Sequence, residues 1–266
     1  SPSGLSIVAS TGAITPSTSS AGTYLVTYTY TSSGCSYSTT AVVTIATFTA
    51  TIAPSATPTA VCSGGNSQLN ANVSGSGYTV TPLYYSALTP SGSPTVLWNS
   101  YTDDAISSAI AMPFTFSYFG AAVSQVYVST NGSIMLNSST GSTANPSGTI
   151  PYAANPNNVI ALGWHDMVVD PATNPGAYVR YYTNGTTPNR IMVVEYYNVR
   201  SYGVSSGANI TGQIRLYESD GHIEIAASSV NDGGGGYNKV MGIEDNAGTT
   251  AFVPTGRNYA TWNITS

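Results

Sequence analysis

Charge is the scarcest feature of this sequence. Asp, Glu, Lys and Arg make up 6% of its 266 residues, against about a quarter in ordinary soluble domains. Lys239 is the single lysine, and the formal net charge is −5. No basic footprint is left, which excludes nucleic acid as a partner and gives an anionic membrane surface nothing to hold. Histidine occurs twice, at His165 and His222, and cysteine twice, at Cys35 and Cys62. Neither an HxxH nor a CxxC spacing is formed, so the common zinc arrangements are ruled out. No apolar run approaches the roughly 18 residues of a membrane span, and Ser1-Pro2-Ser3-Gly4 has no signal-peptide character, as in a mature or excised chain. Amphipathic helical periodicity is also missing.

What remains is β-forming. Hydrophobic residues reach 41% and tyrosine alone supplies 20 positions, enough for a core. Up to residue 102 there is no Asp, Glu, Lys, Arg or His, and 40 of those residues are Ser or Thr. Disorder prefers low hydrophobicity and high net charge, whereas Tyr24 to Tyr30 and Ala41 to Phe48 alternate and are rich in β-branched residues. Thr51 to Thr59, with Pro54 and Pro58, reads as a stiff connector. Tyr84 to Trp98 reads as a loop-rich entry segment.

The organising stretch runs from Met112 to Asn137. Phe114, Phe116 and Tyr118 alternate with polar residues, as do Val126 and Val128, the period-two mark of half-buried strands. Phe119-Gly120-Ala121 breaks the two strands, and Asn131-Gly132 is a strong hairpin signal. Asn137 to Asn158 is loop-like, and Asn158 to Trp164 is nearly continuous apolar, hence central. Further strands are expected at Ala177–Thr183, Arg190–Tyr197, Thr211–Glu218, His222–Ala227, Lys239–Glu244 and Tyr259–Ile264, with Trp262 as an anchor. Asn231-Asp232 and the four glycines after them read as a flexible loop. The expected fold is all-β, an antiparallel sandwich of two stacked sheets.

PFTFSYFG, VYVSTNGSIML, NVIALGWHDM, GAYVRYYTNG, PNRIMVVEYYNV and QIRLYESDGHIEI follow in that order. The series resembles the nidogen-like (jelly-roll) β-sandwich module of extracellular proteins, and the related module of secreted surface proteins of Bacteroidetes-type bacteria. It covers the chain from about Leu83 onward, departing where Gly163-Trp164-His165-Asp166 replaces a Phe-Trp-Asp-Asp type of turn. GLSIVASTGAI, SSAGTYLVTYTY and GCSYSTTAVVTI resemble the second half of an Ig-like repeat, and AVCSGGNSQLNANV the opening of another. The implied division is 1–50, a partial Ig-like β segment; 51–82, a connector with an Ig-like opening strand; and 83–266, the sandwich. Cys35 and Cys62 either form a disulfide or belong to separate Ig-like repeats. The resemblance implies an extracellular, modular, adhesive or structural role at the cell surface, and it brings no catalytic residues.

Asp166, Asp170 and Asn174 are the candidate ligands for calcium; alternatively the two aspartates stabilise a turn before Pro171. Glu195, Glu218 and Glu224 are the acids available for paired-carboxylate chemistry, but alternation puts them on solvent-facing positions. With two histidines as the available bases, no constellation with compatible roles assembles, and an enzyme is not expected. Tyr182, Tyr197 and Tyr202 are candidates for stacking on glycans, against the alternative that such tyrosines pack the core. Tyr24, Val26, Tyr28 and Tyr30 form an apolar stripe without charge, a template for pairing with another chain. The leading expectation is a self-assembling filament or adhesin subunit, built on strand and sheet-face complementation with itself or with neighbouring surface-protein domains. The alternative is a carbohydrate-binding module.

Overall fold

A computed structural model describes residues 3–15, 18–32, 35–45, 51–57, 68–74, 78–140, 146 and 148–265, with backbone alone for 32, 35, 44, 51–57 and 68–74. The chain divides into two compact units, Ser1–Gly77 and Tyr78–Ser266. In the first unit, β1 (Gly22–Ser32) and β2 (Cys35–Ile45) form an antiparallel hairpin paired from Gly22 with Ile45 to Ser32 with Cys35. β3 (Thr51–Thr57) pairs with β4 (Gln68–Ser74) in the same way. Within the segment read as a stiff connector, Thr51–Thr57 is therefore a strand, and Pro54 sits within it opposite Ala71. This two-stranded sheet has only edge strands, where a proline is tolerated. Cys62 lies outside the described residues, and with it the question of its pairing to Cys35.

The second unit begins with β5 (Thr95–Trp98), β6 (Thr102–Asp103), β7 (Ile110–Tyr118), β8 (Ala121–Val128) and β9 (Ser133–Leu136). There follow β10 (Val159–Trp164), β11 (Met167–Val169), β12 (Tyr178–Asn184), β13 (Ile191–Ser201) and β14 (Ala208–Tyr217). The last are β15 (Ile223–Asp232), β16 (Lys239–Glu244), β17 (Ala251–Phe252), β18 (Asn258–Ala260) and β19 (Ile264–Thr265). One sheet runs β17-β16-β10-β9-β8-β7, with β18 also on β16. The other runs β19-β15-β14-β13-β11-β6, with β12 on β13 and β5 on β12. Among the described residues there is no α-helix, and the architecture is an antiparallel β-sandwich.

Alternation selects the core. Phe116, Val126, Ile134, Ile160 and Leu162 of the first sheet pack with Val179, Val194, Tyr196, Ile210 and Ile214 of the second. Each such side chain fully buried contributes about 1.5–3 kcal/mol. β10 carries an unbroken apolar run because it is covered twice. Ile160 and Leu162 enter the inter-sheet core, while Val159, Ala161 and Trp164 join Met135, Ile150 and Val240 in a second cluster. The shift in facing at Trp164 coincides with a bulge against β16. Two tyrosines satisfy buried carbonyls: Tyr118 donates to Val159 at 2.7 Å, and Tyr196 donates to Ser129 at 2.8 Å.

Both expected hairpins exist, with different chemistry. Phe119 and Gly120 take φ of 47° and 80°, the pattern of a tight turn whose twist suits adjoining strands. At Asn131-Gly132 only the glycine is left-handed, at 77°; the asparagine is fully buried and its side chain is the working part. The expected last strand is two strands: β18 lies on the first sheet and β19 on the second. Trp262 stands between them and donates to the Lys239 carbonyl at 3.1 Å.

Trp164 is 3% exposed at the end of the doubly covered strand. Replacing it by alanine should cost about 3–5 kcal/mol, a fall in Tm on the order of 10 °C for a unit of this size. Thermal unfolding followed by near-UV circular dichroism checks this. An unchanged transition would show that the outer cluster does not hold β10.

Candidate functional site

Three carboxylates from separate parts of the chain meet at the β6 edge of the second sheet. Asp103 ends β6, Asp104 follows with φ of 50°, and Asp166 stands between β10 and β11. Pairing of Asp103 with Val168 brings the two strands together. One oxygen from each carboxylate lies within 4.8 Å of the others. Asn131 positions the group, since its Nδ2 donates to Asp104 Oδ1 at 2.9 Å and its Oδ1 accepts the Met167 N–H at 2.5 Å. Asp103 Oδ1 is buried without a hydrogen-bond partner. Burial, and then the charge of Asp104, raise the Asp103 carboxyl above its ordinary range. An oxygen set of this kind has the chemistry of a hard-cation site, although calcium takes about six to eight oxygens and these residues supply part of that number.

The calcium candidates from the sequence are divided by the fold. Asp166 joins Asp103 and Asp104, whereas Asp170 and Asn174 are engaged by other partners. Asp170 pairs with Arg200 at 2.7 Å and accepts the Thr173 hydroxyl at 2.9 Å. The Arg200 hydrogen bond holds its carboxyl below the usual range. The Asn174 amide donates to the carbonyls of Asn198 and Ala208 at 3.0 and 2.8 Å. These two residues fix the turn before β12.

The glutamates are held by cations rather than by one another. Arg180 pairs with Glu195 at 2.5 Å, Arg190 with Glu218 at 2.6 Å and Arg215 with Glu224 at 2.8 Å. Glu195 is not solvent-facing as alternation implied: it is 8% exposed. His165 is fully buried, with Nδ1 2.7 Å from the Gly163 carbonyl and Nε2 2.7 Å from Ser201 Oγ. A carbonyl only accepts, so Nδ1 carries the proton and Nε2 accepts from the serine. Burial drives this imidazole down to about 4, so it is neutral at pH 7. Ser201 is equally buried, and the contact ties β13 to the end of β10. Gly203 to Gly207 matches the G-x-S-x-G spacing, which sequence reading passed over. It links antiparallel β13 and β14, so Ser205 lacks the strand-to-helix geometry of a nucleophile elbow.

The glycan candidates also separate. Tyr182 is buried, its hydroxyl donating to the Leu88 carbonyl and accepting from Gln213, which leaves it no face for a sugar. Tyr197 and Tyr202 are exposed. Tyr197 stacks on Tyr178 with centroids 5.1 Å apart and borders a groove of about 710 Å³ on the outer face of β13, β14 and β15. Tyr202 is not among the groove residues.

A family model described as NIDO related matches residues 77–266. The chain belongs to the NIDO-related family. Its match begins where the second compact unit begins, so the NIDO-related module and the sandwich coincide. Membership points to an extracellular module. No curated protein and no solved structure matches the chain at a significant level. The resemblance of residues 1–50 to an Ig-like repeat falls outside the matched range.

Sequence reasoning did not join Asp103 and Asp104 to Asp166, because the link is a two-residue strand with no periodicity to read. Nor did it find the groove, whose residues Asn209, Thr211, Ser229 and Asn231 are ordinary outward positions of two strands. The signal available was their alternation with Ile210 and Val230.

Three like charges in one cluster oppose folding. Raising a carboxyl in the folded state costs stability above the folded pKa, and the cost vanishes below the unfolded value of about 3.9. Asp103→Asn should therefore raise Tm by about 1–3 °C at pH 7, the scale of a partly exposed charge interaction. The gain should fade as the pH falls toward 4. Differential scanning calorimetry across that range tests it; a lowered Tm at pH 7 would show that the three oxygens share a counter-ion.

Proposed function

We propose that this chain is an extracellular structural or adhesive protein of the cell surface whose copies associate into filaments through the N-terminal hairpin. Membership of the NIDO-related family supports the extracellular setting. The observation that carries the association is the face of β1 and β2. Tyr24, Val26, Tyr28 and Tyr30 share it with their cross-strand partners Val43, Ala41, Thr39 and Tyr37. Tyr28, Tyr30 and Tyr37 stack in sequence with centroids 6.3 and 5.3 Å apart, yet they are 59%, 50% and 52% exposed. Leu25 and Val42 pair across the opposite face and are exposed as well.

β1 and β2 pair only with each other, so among the described residues each has an unpaired outer edge. Nothing in the hairpin supplies the charges, inward or edge-placed, that block pairing with another chain. A second copy suits this surface because it presents the same neutral, tyrosine-rich strands. A head-to-tail contact in which one chain completes another generates open fibres.

Sedimentation velocity tests the proposal. The full chain should self-associate and a chain beginning at Tyr78 should stay monomeric. Because the hairpin contains no Asp, Glu, Lys, Arg or His, association should be nearly equal at low and high salt. Changing Tyr28, Tyr30 and Tyr37 together to serine should weaken it at least tenfold. A full chain that remains monomeric at high concentration, with β1 and β2 resistant to protease, would overturn it.

A further inference from the structure

A groove in the NIDO-related module has chemistry unlike that of the hairpin. Its lining contains no Asp, Glu, Lys, Arg or His. Asn209 of β14 pairs opposite Asn231 of β15, and Thr211 opposite Ser229, so four hydrogen-bonding side chains stand in two adjacent rows. Thr265 extends the second row through its pairing with Ser229. On the other side, the register of β13 with β14 breaks between Tyr196 and Val199. Tyr197 and Asn198 are thereby released from the ladder, and Asn198 takes φ of 52°.

Hydrogen bonds fix how the amides present themselves. Asn209 Oδ1 accepts the Thr211 hydroxyl at 3.0 Å, and Asn231 Oδ1 accepts the Gly233 N–H at 3.0 Å. Both oxygens being engaged within the protein, the amide nitrogens are the ends left for a ligand, and each carries two N–H donors. The Ser229 hydroxyl donates to the Asn209 carbonyl at 2.8 Å, which leaves its oxygen lone pairs as acceptors. Tyr197 supplies an aromatic wall, 43% exposed and braced from one side by Tyr178 at an interplanar angle of 19°.

We propose that this groove binds a neutral saccharide, stacked on Tyr197 and hydrogen-bonded through its hydroxyls to Asn209, Asn231 and Ser229. Sugar hydroxyls both donate and accept, which matches amide donors beside hydroxyl acceptors. Sugar C–H faces pack on aromatic rings that keep a polar edge. An anionic ligand would find no cation in the groove and a cationic ligand no carboxylate. A peptide added as a strand needs a free sheet edge, whereas β13 and β14 are paired on both sides and beside the groove the outer edge of β15 is taken by β19 at Ser229 and Val230. The groove's described lining residues all belong to the second unit, and the proposed binding invokes no calcium.

The test applies the full chain to an array of neutral and acidic oligosaccharides, with and without a chelator, and follows hits by calorimetry. Selective binding to neutral glycans is expected, unchanged by the chelator. Tyr197→Ala and Asn231→Asp should each weaken it at least tenfold. The second variant keeps the oxygen that holds Gly233 and replaces only the donor group. Both should melt as the parent does, since the Tyr197 ring is exposed and the Gly233 contact is retained. A flat array would overturn the proposal, as would hits confined to acidic glycans or hits indifferent to both substitutions at unchanged stability.

Discussion

With six Lys and Arg side chains in the whole chain, the placement of each constrains its surroundings, and five are committed to ion pairs within the sandwich unit. Arg180, Arg190, Arg200, Arg215 and Lys239 each hold one carboxylate, from Glu195, Glu218, Asp170, Glu224 and Asp232. Lys239 is fully buried and Asp232 nearly so. Arg215 and Gln213 also reach over to the carbonyls of Ser86 and Leu88, so the segment before β5 is tied to the outer face of β14 by polar contacts. Removing one partner of a buried pair costs about 3–5 kcal/mol, because the other charge is left uncompensated. The sixth cation, Arg257, lies 4.2 Å over the Trp262 ring. Little positive charge is left to face solvent, and the outer surfaces are made instead from hydroxyls, amides and aromatic rings.

The same arrangement sets a pH window. Asp170 lies below the ordinary carboxylate range because of its Arg200 hydrogen bond; burial pushes Asp232 up, but the Lys239 hydrogen bond and charge and the N–H groups of Gly234 and Tyr237 together bring it below that range. Their contribution is present above the unfolded value of about 3.9 and is lost as the pH falls through the folded values. Glu244 acts in the opposite sense. Burial lifts it to about 7 despite the N–H it accepts from Tyr152, so its ionisation penalises the fold above that pH and not below the unfolded value of about 4.3. Between these limits Asp170 and Asp232 are charged and Glu244 retains its proton.

Where the sequence was legible, alternation matched a face whose environment is set by the sheet itself. β7, β8, β13 and β14 are of this kind, with Phe116, Val126, Val194 and Ile214 turned to the core. Alternation failed where an outward face is covered by something else. Glu195 points away from the core, as its neighbours require, and is buried because Arg180 and Gln213 close over it. Tyr182 is lost to Leu88 for the same reason. β5, β6 and β11 are too short for a period to show, and their pairing comes from the sheet around them. Asn231 and Asp232, beside four glycines, read as a loop; they end β15 because Asp232 accepts the N–H groups of Gly234 and Tyr237 as well as the Lys239 ammonium.

A face without charge gains nothing from electrostatic steering in meeting a partner. Oppositely charged patches raise association rates by orders of magnitude and make them fall with salt. Neither the tyrosine face of the hairpin nor the amide groove has charge to offer, so each must work from basal encounter rates, about 10⁵–10⁶ M⁻¹s⁻¹ for neutral surfaces. Affinity at such surfaces is set by how slowly contacts break. For the proposed hairpin contact that would be the area of stacked rings removed from water; for the proposed saccharide, directed hydrogen bonds. Both terms vary little with ionic strength, so the two proposed contacts would hold over a wide range of salt.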